Sequence, residues 1–334
     1  MASPDSAQSA FRPARIWRNR HLQTLLPSTG LISQPQVRYK RSLHHLYDGD
    51  TLAIDTLDQS DIARDAPTLV VLHGLEGSSD STYARALIAA AGALGWHALV
   101  MHFRDCGDHR NALPRRYHAG ETADIDHFLG ALRKQQGDAP ILVAGYSLGG
   151  NALLKYLGEA ERPNTIDAAV AVSVPFELQG ASDSISKGFS KLYQWHLMKN
   201  MKRSLARKFD RRSAPFDYDA AMKCVTFEAF DDIVTAPLHG FAGKDAYYND
   251  CSCRQYLRNI NTPTLIIHAT DDPFTHPGII PTNSETSDSV TLELTQHGGH
   301  VGFVTGNTPS TWRFWLPNRI TTFFAQSLSQ LRQA

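Results

Sequence analysis

The sequence has 334 residues, 42% hydrophobic and 20% charged, with 33 Lys and Arg balanced by 33 Asp and Glu. That balance excludes a disordered chain and supplies no global field for nucleic acid. No apolar run approaches the ~18 residues of a membrane-spanning helix, and one large α/β core with an insertion fits the length.

Met1 to Ala10 is small and polar, is expected to be disordered and has no apolar stretch of the signal-peptide kind, so a cytoplasmic protein is expected. Phe11 to Pro27 mixes aromatic and basic residues (Phe11, Arg12, Arg15, Trp17, Arg18, Arg20, His21) and reads as an arm packed across the core, with a membrane-surface or ligand-channel role as the other reading. Val37 to Tyr47 and Thr51 to Leu57 flank Asp48-Gly49-Asp50, which predicts an antiparallel hairpin at the edge of a sheet.

From Pro67 strands and helices alternate. Thr68 to Leu72 is a continuous apolar run of the kind buried on both faces of a parallel sheet, and it ends in His73-Gly74-Leu75-Glu76-Gly77. A helix from about Ser81 to Leu94, a strand at Ala98 to Phe103, a polar loop to His118 and a helix from about Glu121 to Gln135 follow. Ile141 to Tyr146 then runs into Ser147 inside Gly145-Tyr146-Ser147-Leu148-Gly149 and straight on into a helical pattern, the strand, turn and helix context of a nucleophile elbow. Ile166 to Val174 is a further strand. Phe176 to Ala236 breaks the rhythm and is expected to be an inserted helical cap. Within it Phe189, Leu192, Trp195, Met198, Met201, Leu205 and Phe209 fall three and four apart, predicting an amphipathic helix with this stripe packed inward and a basic face outward. That basic face is expected to be solvated, with contact to anionic lipid head groups as the alternative. Strands at Pro263 to Ala269 and Val290 to Leu294 lead into Asp271-Asp272 and His297-Gly298-Gly299-His300, and a helix holding Ile320 and Phe324 closes the chain. Cys106, Cys224, Cys251 and Cys253 make no disulfide framework or zinc spacing and are expected as reduced thiols.

Ligands of parallel α/β sheets bind at the carboxyl ends of the strands, where these loops fall. A serine hydroxyl needs a base as it attacks, imidazole can take and return the proton, and a carboxylate fixes the imidazole tautomer. The order Ser147, Asp272, His300 therefore predicts a catalytic triad, with Asp271 and His297 as competitors for the acid and the base. An oxyanion is expected to meet the backbone N–H groups of Leu75 and Leu148. No nucleotide, metal or other cofactor motif is present, so none is expected.

The sequence resembles the α/β-hydrolase superfamily and, within it, the YheT-like or AB hydrolase 4 family. The resemblance rests on His21 to Thr24, His73 to Ser78, His102 to Arg104, Tyr117 to Thr122, Gly145 to Asn151, Phe230 to Asp232, Pro237 to Phe241, Asp271 to Phe274 and His297 to Phe303. One departure is Asp105, where the family carries glycine. The resemblance implies an α/β-hydrolase fold and a serine carboxylic-ester hydrolase working through an acyl-enzyme, with a small-molecule or lipid ester as substrate and no nucleic-acid partner. Acyl transfer to an alcohol, and a non-catalytic membrane-surface or protein-binding module, are the competing readings.

Overall fold

The computed structural model describes residues 11–159 and 165–333, so the N-terminal stretch expected to be disordered lies outside the described residues. Eight strands form one sheet in the order β1-β2-β4-β3-β5-β6-β7-β8. They are β1 (Tyr39–His45), β2 (Thr51–Leu57), β3 (Thr68–Leu72), β4 (His97–Met101), β5 (Ile141–Tyr146), β6 (Ala168–Val172), β7 (Thr264–Ala269) and β8 (Val290–Thr295). β2 pairs antiparallel with both β1 and β4, and every other pairing is parallel. The hairpin expected around Asp48-Gly49-Asp50 is present, with Tyr39 opposite Leu57 and His45 opposite Thr51.

The period-2 alternation of each strand sends neighbouring side chains to opposite faces, which is why the central strands are apolar throughout. Short helix α1 (Arg20–Leu25) precedes the sheet, and α2 (Thr82–Ala93), α3 (Ala123–Gln136) and α4 (Leu148–Gly158) connect its strands. Leu69 and Val71 of β3 pack with α2 residues Leu87 and Ile88 and with the terminal-helix residues Ile320 and Phe324. Val70 and Leu72 pack on the other face with Ile125 and Leu129 of α3 and Leu153 of α4.

Between β6 and β7 the chain forms α5 (Leu178–Ile185), α6 (Ser190–Lys208), α7 (Tyr218–Lys223), α8 (Phe227–Phe230), a π-turn at Asp231–Thr235, α9 (Ala236–Leu238) and α10 (Lys244–Cys251), and α11 (Leu316–Leu331) ends the fold. The predicted stripe of α6 divides in two. Met198, Met201, Leu205 and Phe209 are buried as expected, together with Phe230 and Val234. Phe189, Leu192 and Trp195 are instead 50%, 49% and 59% exposed, because the first half of the helix turns Tyr193 inward in their place. Among the described residues no helix is long and apolar enough to cross a membrane.

Asp105, the departure from the family pattern, has φ 63°, a left-handed conformation that glycine adopts freely. Asp tolerates it here because its side chain is anchored: Oδ1 accepts the Asn111 N–H at 3.1 Å and Oδ2 accepts from Lys208 of α6 at 2.7 Å. The neighbouring Arg104 is fully buried, bonded to both Asp124 oxygens at 2.6 and 2.7 Å and close to Asp48 and Asp50 at 2.8 and 3.3 Å. Removing one partner of a buried ion pair strands the other charges in low dielectric. Arg104→Met is therefore expected to lower the urea unfolding free energy by about 3 kcal/mol or more, and a loss under about 1 kcal/mol would show that water reaches these carboxylates.

Candidate active site

Ser147 stands where β5 gives way to α4, with φ 51° and ψ −118°. Such a backbone costs a non-glycine residue about 1–3 kcal/mol and persists only where its surroundings hold it. Here the Ser147 N–H donates to Val172 O at 2.8 Å, and Ser147 O accepts the Asn151 N–H at 3.0 Å. The glycines on either side are needed for close approach. A Cβ on Gly149 would lie 2.5 Å from the carbonyl oxygens of Leu72 and His73, and one on Gly145 would lie 2.5 Å from Gly149 O. The elbow is thus pressed against the carboxyl end of β3, beside the loop that carries Leu75.

His300 reaches Ser147 from the loop after β8. Its Nε2 lies 3.0 Å from Ser147 Oγ and its Nδ1 2.8 Å from Asp272 Oδ2. Asp272 is buried, and its other oxygen accepts the Phe274 N–H at 2.8 Å. With the Nδ1 proton directed at Asp272, Nε2 is left as an acceptor for the serine hydroxyl. The Phe274 ring stacks on the imidazole at 3.9 Å between centroids and 9° between planes, which fixes the ring orientation.

The loop backbone is clamped as well. His300 N–H donates to Thr24 Oγ1 at 3.0 Å and Val301 N–H to Ser173 Oγ at 3.0 Å. Gln23 of α1 is fully buried; its Nε2 donates to Trp17 O and Val304 O, and its Oε1 accepts the Val304 N–H at 2.7 Å. The N-terminal arm therefore packs across the core, as expected, and does so on the loop that carries His300.

The competitors for acid and base lie one step away. Asp271 Oδ1 accepts the Gly299 N–H at 2.9 Å, and its Oδ2 is 3.4 Å from His297 Nδ1. This second pair shapes the loop; it is Asp272 and His300 that meet Ser147.

Leu75 and Leu148 both line the cavity that opens onto Ser147 and His300. The amides flanking Leu75 are committed, Gly74 N–H to Tyr83 OH at 2.8 Å and Glu76 N–H to Tyr117 OH at 2.7 Å. Among the described residues neither the Leu75 nor the Leu148 N–H has a protein acceptor. His73 supports the loop by accepting the Phe103 N–H at Nε2 and bonding Gly74 O through Nδ1 at 2.7 Å; burial pushes its pKa down to about 3, so the ring stays neutral.

The cavity holds about 750 Å³ of free space, including its open mouth. Its walls come mainly from the segment between β6 and β7, with Leu178, Ile185, Leu197, Met201, Phe227 and Tyr247 facing in, so an apolar chain fits it. One ionisable wall residue stands out. Asp231, at the start of the π-turn, accepts from Thr235 Oγ1 at 2.6 Å and Tyr248 OH at 2.9 Å, and burial pushes its pKa up to about 6. Among the described residues no cluster of His, Cys, Asp and Glu is arranged to hold a metal ion, and the four cysteines are buried free thiols.

Sequence reasoning assigned roles to the residues that converge on Ser147 but none to those that hold them. Gln23, Thr24 and Ser173 act on the His300 loop from far away in sequence, and no local period marks such contacts. Asp231 drew notice only as part of the family resemblance; its place in the cavity wall depends on how the helices after β6 fold back.

A folded-state pKa raised from 3.8 to about 6 means that the native state binds the Asp231 proton more tightly than the unfolded chain does. The associated stability is complete below about pH 4 and is lost as pH rises through about 6. Asp231→Asn, which cannot ionise, is expected to gain about 2 kcal/mol on the wild type between pH 4.5 and 8. Chemical denaturation at the two pH values measures the gain, and an unchanged difference would contradict the burial of this carboxyl.

Residues 67–307 match the α/β hydrolase fold family. The protein YheT of Escherichia coli (strain K12), whose name carries a provisional esterase assignment, is 41% identical over 323 residues, which cover 96% of this chain and 94% of its own. Phospholipase ABHD3 of Mus musculus is 30% identical over 332 residues, covering 97% of this chain and 80% of its own. Among solved structures, the Pyrococcus furiosus esterase PF2001 aligns with a TM-score of 0.57 over 88% of this chain and 97% of its own, at 17% identity, a likeness of fold alone. With the elbow, the sheet order and these matches together, the chain belongs to the α/β-hydrolase family, in its YheT-like branch.

Proposed function

We propose that the protein hydrolyses carboxylic esters through an acyl-enzyme on Ser147. One observation carries this reading: an unbroken relay from buried Asp272 through His300 to Ser147, with contacts of 2.8 and 3.0 Å, ends at the wall of an apolar cavity. The esterase assignment in the name of one relative and the phospholipase name of another support an ester as the substrate class.

In the first half-reaction Ser147 Oγ bonds to the ester carbonyl carbon while its proton passes to His300 Nε2. The carbonyl electron pair moves onto oxygen, where the free N–H groups of Leu75 and Leu148 receive it; one such donor is worth about 10²–10³ in rate. Asp272 stabilises the imidazolium at Nδ1. Collapse of the intermediate breaks the bond to the alcohol oxygen, and His300 returns the proton to it. Water then repeats the sequence on the acyl-enzyme, releasing the acid and restoring Ser147. The segment from Phe176 to Ala236 acts as a cap over the site, since Leu178, Ile185, Leu197, Met201 and Phe227 build the wall along which the acyl chain lies.

Asp272→Asn is expected to lower kcat/KM on a short p-nitrophenyl ester by about 10³–10⁴, because Asn no longer imposes the productive tautomer. Asp271→Asn, whose amide oxygen can still accept from Gly299, is expected to remain within about tenfold of the wild type. Equal mild losses at the two positions would overturn the assignment of the acid. A folded Ser147→Ala protein that keeps its esterase activity would overturn the proposed chemistry.

A further inference from the structure

In the outer half of the α6 stripe, predicted to be buried, Leu192 and Trp195 are about half exposed among the described residues. On this helix the exposed residues are Lys191, Leu192, Trp195, His196, Lys199 and Arg203, followed by Ala206 and Arg207 in its last turn. Phe189, just before the helix, is half exposed on the same approach. Helix α6 carries six Lys or Arg and no Asp or Glu.

Two of its cations serve the fold, since Lys202 Nζ donates to Cys224 O and Lys208 pairs with Asp105. Lys191, Lys199 and Arg203 have no carboxylate partner among the described residues, and Lys199 instead lies 5.3 Å from the centre of the Trp195 ring. Arg18 and Arg20 of the N-terminal arm are exposed nearby, for the His21 ring lies 4.4 Å from Phe189 and 5.9 Å from Tyr193. An apolar and aromatic strip between cations, without one acid, matches a surface that offers acyl chains and anionic head groups together. A helix with six cations lies in the plane of such a surface and does not cross it.

The position of this face links it to the cavity. Leu197 and Met201, on other sides of the same helix, line the cavity. Tyr193 lies 5.2 Å from Phe274, which stacks on His300. We propose that the outward face of α6, with Phe189 at its start, docks on an anionic lipid bilayer. Leu192 and Trp195 enter the acyl boundary, while Lys191, Lys199 and Arg203 meet the head groups. The docked face sets the cavity close to the membrane surface. This surface binding goes beyond ester hydrolysis and does not depend on it.

The test is co-sedimentation of the full chain, in its Ser147→Ala form so that turnover plays no part, with vesicles of phosphatidylcholine alone or with about 30% phosphatidylglycerol. Binding to the anionic vesicles is expected to be at least tenfold tighter and to fall sharply at about 0.5 M salt, where the screening length is a few ångströms. Lys191→Glu/Lys199→Glu/Arg203→Glu and, separately, Leu192→Ser/Trp195→Ser are each expected to lose at least about tenfold in binding. Built into the active enzyme, both sets are expected to keep the thermal unfolding midpoint and to hold kcat/KM on a water-soluble short ester within about twofold. Failure of the wild-type face to bind anionic vesicles, or binding by either variant as tight as that of the wild-type face, would overturn the proposal. So would a wild type that ignores vesicles and self-associates or captures a protein through this face. None of these results bears on whether Ser147 is a nucleophile.

Discussion

Everything at the site depends on how closely the elbow approaches the end of β3. Because Gly149 has no side chain, α4 starts against the Leu72 and His73 carbonyls, and Ser147 is held at φ 51° with its hydroxyl outward. The same approach brings Leu75 and Leu148 into the wall of one cavity. A small shift here would separate the Ser147 hydroxyl from the cavity wall that Leu75 and Leu148 share. Strain at Ser147 is stored where the parallel sheet around it is stiffest, with every residue of β3, β5 and β6 buried.

The imidazole is positioned differently. His300 sits in a loop, and a loop needs outside anchors before it can hold an imidazole within hydrogen-bond reach of a serine. Those anchors come from distant parts of the chain: Thr24 and Gln23 from the N-terminal arm, Ser173 from the end of β6, and Phe274 from the acid loop. The arm therefore fixes the His300 loop as well as burying apolar surface. The cavity above is built mainly from a third part of the chain, the helices between β6 and β7, so its wall can vary while the relay beneath it stays in place.

How much of this was legible depended on the range of the forces involved. The buried strands announced themselves because a strand covered on both faces must be apolar throughout, and the hairpin did so through Asp48-Gly49. That Ser147, Asp272 and His300 would meet could be expected because their loops all fall at the carboxyl ends of strands. The choice between Asp271 and Asp272 rests on side-chain direction at adjacent positions, which spacing does not encode; the structure turns Asp272 to His300 and Asp271 to the Gly299 amide. The stripe on α6 was half misread for a related reason. Periodicity shows that a helix has an apolar face but not what lies opposite it, and among the described residues Leu192 and Trp195 stay about half exposed. Asp105, which looked out of place beside the family's glycine, keeps glycine's backbone conformation through bonds to Asn111 and Lys208 that no local rule anticipates.

The central claim is that Ser147 becomes covalently acylated during turnover. Rapid acid quench of the enzyme with a slowly deacylating ester, followed by intact-mass and peptide mass spectrometry, tests it most directly. The account predicts a transient adduct with the mass of the acyl group on the peptide containing Ser147, formed in a burst that matches alcohol release. Full turnover with no adduct at any time, or an adduct on another residue, would contradict it.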